Sequence, residues 1–115
     1  MYLGADGKAT RDSVVGWRAP GVPGTVRSLE LAHKKYGRKP WSALIQPSVE
    51  LARRGIVLSY AEARSMCGAK KLMAQFPESN RIFLKGGFCF DAGEILVQPE
   101  LAAVLERISR EGAKD

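Results

Sequence analysis

A chain of 115 residues is the length of one domain, and such a domain buries roughly two thirds of the surface its unfolded form exposes. With 45% hydrophobic and 26% charged residues it has a globular composition, without disordered or fibrous bias. No stretch approaches the roughly 18 apolar residues that span a bilayer, and Met1 to Gly7 shows no basic region followed by an apolar one, so the chain as it stands is expected to be neither anchored nor self-exporting.

The segment 1–24 carries five glycines and two prolines, Pro20 and Pro23, with little periodicity, and reads as loop. Residues 25–76 read as helical. Thr25 is placed to cap a first helix in which Val26, Leu29, Ala32 and Tyr36 recur at three- and four-residue steps, and Gly37 offers a left-handed stop. Pro40 opens the next stretch, where Trp41, Leu44, Ile45, Val49 and Ala52 share a face and Gly55 ends it. Pro47 within that run lacks the amide that bonds back one turn, which predicts a bent helix or two short ones.

Ser59 stands three residues before Glu62, the spacing at which each side chain satisfies the other's backbone amide. Ala63, Met66, Lys70, Met73 and Phe76 follow on the helix this box opens, with Gly68 as a weak point and Pro77 as a stop. Residues 81–97 read as extended: Ile82-Phe83-Leu84 and Glu94-Ile95-Leu96-Val97 flank a glycine-rich loop and suit two short strands. Over 98–112, Gln98-Pro99 open a final helix with Leu101, Val104, Leu105 and Ile108 at i, i+3, i+4 and i+7, and Gly112 closes it. The fold class expected is mainly α with a small β element. A core closing on itself would draw on Leu29, Leu44, Ile45, Leu51, Leu101, Leu105 and Ile108.

The net charge of +6 raises the question of nucleic acid, because a basic surface releases counterions on meeting phosphates. The cations instead fall in pairs, Lys34-Lys35, Arg38-Lys39, Arg53-Arg54 and Lys70-Lys71, mostly in or just past the last turn of a helix, where they offset the macrodipole. That placement favours a solvated surface. A free-standing basic module using Lys34, Lys35, Arg38, Lys39, Arg53 and Arg54 on nucleic acid or a protein partner is the alternative.

Catalytic chemistry finds little support in the residues. His33 is the only histidine and Cys67 and Cys89 are the only cysteines, too few for a zinc site of ordinary spacing. The cysteines form one disulfide or remain two half-buried thiols, the thiols being the simpler expectation, and His33 reads as a surface residue. Glu30, Glu50, Glu62 and Glu106 fall on polar helix faces and suit solubility or pairing. Gly86-Gly87 and Gly21-Val22-Pro23-Gly24 lack the lysine and hydroxyl of a phosphate loop, and no serine sits in a nucleophile elbow. No catalytic, substrate, cofactor or metal residue is assigned.

A series of short motifs in order carries a resemblance. Gly21-Val22-Pro23-Gly24-Thr25, Leu29, Ala32-His33-Lys34-Lys35-Tyr36-Gly37 and Pro40-Trp41 are followed by Leu44, Gln46-Pro47, Leu51-Ala52, Gly55, Ile82-Phe83, Gly93, Leu96-Val97-Gln98-Pro99-Glu100-Leu101-Ala102 and Leu105. Together, over nearly the whole chain, they resemble the large subunit of γ-glutamyltranspeptidases. Met1-Tyr2-Leu3 resembles the latter half of an internal Arg-Asp-Met-aromatic-Leu run of that family, and Glu111 to Asp115 stops where members continue, so both ends are expected to be internal. Gly16-Trp17-Arg18-Ala19-Pro20 departs from the family.

The resemblance implies a helical segment of an N-terminal nucleophile hydrolase fold, without the complete sandwich. It further implies a parent that moves the γ-glutamyl group of glutathione and related amides to water or an amino acid through a small-subunit threonine. Neither Thr10 nor Thr25 has the Thr-Thr-His context of that nucleophile, and the family's substrate-gripping arginine lies upstream of the run matched by Met1. The isolated chain is therefore expected to be an inactive structural segment. Its implied partners are the remainder of the large subunit and the small subunit, with self-association through apolar helix faces when alone, and the parent's implied location is periplasmic or extracellular.

Overall fold

The computed structural model describes residues 2–21 and 23–114, with only the backbone of Lys114. Met1, which carries one end of the resemblance, and Val22, in the turn before the first helix, lie outside them. The chain divides into two compact units with a boundary after Tyr36.

In the first unit, Leu3 and Ala9 form an antiparallel bridge, and the Tyr2 hydroxyl donates to the carbonyl of Arg18 at 3.2 Å. The loop expected before residue 25 is therefore bonded to itself. Helix α1 is Thr25–Tyr36. Thr25 is its first residue, not its cap: the carbonyl of Gly24 accepts the first helical bond, from the Ser28 amide at 3.0 Å. Gly37 takes no positive φ, so the expected left-handed stop is not formed. No residue of α1 is buried, and Leu29 is 57% exposed, which removes it from the expected core.

The second unit is built on α2, Trp41–Arg54, and α6, Pro99–Glu111, which pack against each other. Pro47 leaves α2 a single element. Its missing amide falls on an exposed stretch, where water replaces the lost bond at little cost. Gly55 ends α2 at φ 88°, its amide bonded to the Leu51 carbonyl, and the chain passes into strand β1, Ile56–Val57. Strand β2, Ile95–Leu96, pairs antiparallel with it in the register Ile56 to Leu96 and Val57 to Ile95.

Between the strands lie α3, Tyr60–Gly68, α4, Lys70–Met73, and α5, Pro77–Phe83. The capping box forms as expected, with the Glu62 amide donating to Ser59 Oγ at 3.3 Å and the Ser59 amide to Glu62 Oε2 at 2.8 Å. Two expectations fail here. Pro77 starts α5 instead of stopping a helix, and Ile82 and Phe83 are helical, not strand. Proline is preorganised for the first helical turn and Glu78 beside it complements the dipole, and these local terms outweigh a three-residue apolar run. The extended span 81–97 thus contracts to β2 and its approaches, and its partner β1 comes from within the span 25–76 read as helical.

The core is small and composed differently from the expectation. Leu58, Ala63 and Leu96 are buried together, with Ile56, Met66, Phe83 and Phe90 packed against them. Val49, Ala52, Leu84 and Ala102 are the other buried apolar residues. Of the expected set, Leu44, Leu51 and Leu101 are exposed, at 50%, 57% and 42%, and Ile45, Leu105 and Ile108 are half-buried. Small side chains hold the buried line because Ala52 and Ala102 let two helices approach closely, while the leucines stand on outward faces.

Candidate functional site

Concave places are formed in the second unit. The first is a groove of about 190 Å³ bordered by Ser48, Leu51, Ile56, Gln98, Leu101 and Leu105. Its wall is set by α2, α6 and the β1–β2 pair, with Gln98 donating its amide to the Ala52 carbonyl at 2.9 Å. Leucines dominate it, so it suits an apolar neighbour, and its lining sets no carboxylate, imidazole or amine beside the Ser48 hydroxyl to act as a base.

The second is a cleft of about 290 Å³ beside a disulfide joining Cys67 and Cys89, whose wall includes Tyr60, Arg64, Phe90 and Asp91. The bridge corrects the expectation of two free thiols. Cys67, near the end of α3, and Cys89, after the Lys85–Phe88 turn, are brought to a Cα separation of 5.2 Å by the two intervening helices α4 and α5, a proximity that linear spacing does not reveal.

Several charged residues are committed to structure. Glu30 pairs with Arg27 and Lys34 along α1. Glu106 pairs with Arg53, joining α6 to α2, and the guanidinium holds its carboxyl below the ordinary value. Arg81 reaches both Glu78 and Glu100 at 2.8 Å, and these bonds raise its own pKa. The Glu94 carboxylate accepts from Lys85 Nζ and the Asp91 amide at 2.6 Å, both of which lower its pKa. Glu62 is lowered by the Ser59 hydroxyl and amide, and Glu100 by its own backbone amide and then Arg81.

Glu30, Glu62 and Glu106 thus serve pairing or capping roles, and Glu50 lies 3.5 Å from Gln46 Nε2. His33, read as a surface residue, is half-buried. Thr10 Oγ1 donates to the Tyr2 carbonyl and accepts from the Asp12 amide, a local turn bond. Among the described residues no group of three or more His, Cys, Asp or Glu could hold a metal ion, and no helix is long and apolar enough to cross a membrane. Sequence reasoning missed the Arg81–Glu100 and Lys85–Glu94 pairs, because separations of 19 and 9 residues match no helical or strand period.

Two packed helices, a short antiparallel pair and the three helices between its strands make up the second unit, with apolar side chains left exposed on α2 and α6. A family model for gamma-glutamyltranspeptidase matches residues 1–115, and the chain belongs to that family. It is 40% identical over 114 residues to the glutathione hydrolase proenzyme of Pseudomonas sp. strain A14, covering 97% of this chain and 20% of the relative. The Escherichia coli glutathione hydrolase proenzyme is 34% identical over 114 residues, again covering 97% and 20%. The crystal structure of Helicobacter pylori gamma-glutamyltranspeptidase superposes with a TM-score of 0.95 at 36% identity, over 99% of this chain and 33% of that one. The chain therefore corresponds to about a fifth of the length of these curated relatives.

Proposed function

We propose that this chain is a scaffold segment of the large subunit of an N-terminal nucleophile hydrolase that transfers or hydrolyses the γ-glutamyl group of glutathione and related amides. It contributes helices and no catalytic side chain. The observation that carries the reading is the full-length match to a gamma-glutamyltranspeptidase structure, at TM-score 0.95 over 99% of this chain but 33% of the other. The outward leucines agree with it, since a helix face meant for solvent does not carry Leu44, Leu51, Leu101 and Val104 at 42 to 57% exposure. The rest of the large subunit and the small subunit are the partners that would cover them. The Cys67–Cys89 bridge supports a periplasmic or extracellular location.

Two measurements test this. Purified chain incubated with γ-glutamyl-p-nitroanilide is expected to release no p-nitroaniline, and sustained release would end the scaffold reading. A chimera in which this chain replaces the matched segment of the Pseudomonas relative is expected to keep turnover, and a soluble, folded chimera without any would equally overturn it. The basic-module alternative has no supporting feature: Arg53 is paired with Glu106 and Lys34 with Glu30.

A further inference from the structure

Within the described residues, Cys67 and Cys89 form a disulfide that leaves no cysteine free. Two features set it apart from a buried structural staple. Cys67 is exposed and Cys89 half-buried, so the bridge lies at the surface of the chain. The bridge also forms part of the wall of the 290 Å³ cleft, which places Arg64 and Asp91 beside it together with the rings of Tyr60 and Phe90. A cleft of that volume is at the small end of those that take up ligands. One cation and one anion flanking a reactive bond are the complement of a molecule that carries a carboxylate, an ammonium group and a thiol.

We infer that the Cys67–Cys89 bridge is a thiol-exchange site for a zwitterionic aminothiol of the cysteine or glutathione type. Arg64 receives the carboxylate and Asp91 the ammonium group, which brings the thiolate to Sγ of Cys67. The incoming sulfur bonds to that atom, the bond to Cys89 breaks, and its electron pair leaves on the Cys89 sulfur, which takes a proton from water. A second aminothiol attacks the mixed disulfide, releases the oxidised small molecule and leaves both cysteines reduced. Two thiols are oxidised and one bridge is reduced, with no other reactant. Opening removes the covalent tie between Cys89 and α3, while Phe90 stays packed on the Leu58, Ala63 and Leu96 cluster and the amide of Leu58 still donates to Glu94 and that of Gly93 to Leu58, both at 2.8 Å. This chemistry is independent of whether the intact enzyme acts on γ-glutamyl amides.

The test uses the full chain under native conditions with reduced glutathione and, separately, neutral 2-mercaptoethanol, quenching by alkylation and mapping the thiolated peptide. The expected result is a glutathione adduct on Cys67 in preference to Cys89. The ratio of glutathione to mercaptoethanol rate constants is expected to fall several-fold in Arg64→Ala and in Asp91→Asn, which cancels the differing reactivity of the two reagents. Because those variants could perturb the fold, Cys89→Ser treated with oxidised glutathione provides a second arm, expected to label Cys67 with the same dependence on Arg64. A bridge that opens only in denaturant, labelling that falls on Cys89, or a rate ratio unchanged by both substitutions would overturn the assignment.

Discussion

The indole Nε1–H of Trp41 donates to the carbonyl of Ile108 at 2.9 Å, joining the first residue of α2 to the last turn of α6 across 67 positions of chain. The same carbonyl also accepts the amide of Gly112, so it remains satisfied when the indole is lost. Trp41→Phe should therefore cost only the net value of one hydrogen bond, about 1 kcal/mol, plus a little packing. Chemical denaturation followed by circular dichroism measures this; a loss near 3 kcal/mol would mean the indole does more than bridge the two helices.

Gly55 is closely approached by the chain around it. At φ 88°, a Cβ there would stand 2.8 Å from Val97 Cγ2 and 2.9 Å from the Leu96 carbonyl, against the strand that follows it in the fold. Gly55→Ala combines a conformation close to glycine-only with overpacking, each worth about 1 to 3 kcal/mol. We expect a loss of about 3 kcal/mol or more in a urea midpoint series. A variant as stable as the parent would show that β1 and β2 are looser than their register implies.

Cys67 and Cys89 close a loop with a sequence separation of 22. Chain entropy assigns such a crosslink about 3 kcal/mol, which matters in a unit with so small a core. The Cys67→Ser, Cys89→Ser pair should lower the melting temperature markedly, and reductant should lower that of the parent by a similar amount while leaving the double variant unchanged. Equal melting of all forms would refute the crosslink.

Stability should fall with acid. The Glu62, Glu94, Glu100 and Glu106 carboxyls all lie below their ordinary value of 4.5 in the folded chain. A depressed folded pKa contributes stability that is fully present above the unfolded value and is lost as pH drops through the folded one. Unfolding titrated from pH 6 downward should show a flat region followed by a decline below about 4.5. Ser59→Ala should move the Glu62 titration upward in NMR and cost about 1 kcal/mol of cap stability. A Glu62 carboxyl that titrates unchanged in that variant would remove the capping box as its cause.

Leu51 and Leu101 border the same groove and are exposed by 57% and 42%. The chain alone should therefore be marginally stable or self-associate, melting below about 60 °C. Leu51→Glu with Leu101→Glu should shift sedimentation toward monomer. Monomeric parent chain with a sharp transition well above that temperature would show that these faces need no cover.

Which parts of this were legible in advance follows from range. The capping box at Ser59 and Glu62, the Gly55 and Gly112 stops, the Pro99 start and the 3.6-residue stripe of α6 are decided within one or two turns of backbone, where neighbours in sequence are neighbours in space. Family membership was legible too, because a long ordered series of short motifs survives where each alone is uninformative. The mainly α class with a small β element followed from the same local signals.

The sequence by itself determined helices α1, α2, α3 and α6 in outline and the kinship of the chain. Tertiary structure alone decided that Ile56–Val57 receives β2, that Cys67 meets Cys89, and that Ala52 and Ala102 are buried while Leu51 and Leu101 face outward. The physical reason is that an apolar stripe states only that a face seeks cover. Which neighbour covers it depends on how closely two backbones approach, and that distance is set by side chains far apart in the chain.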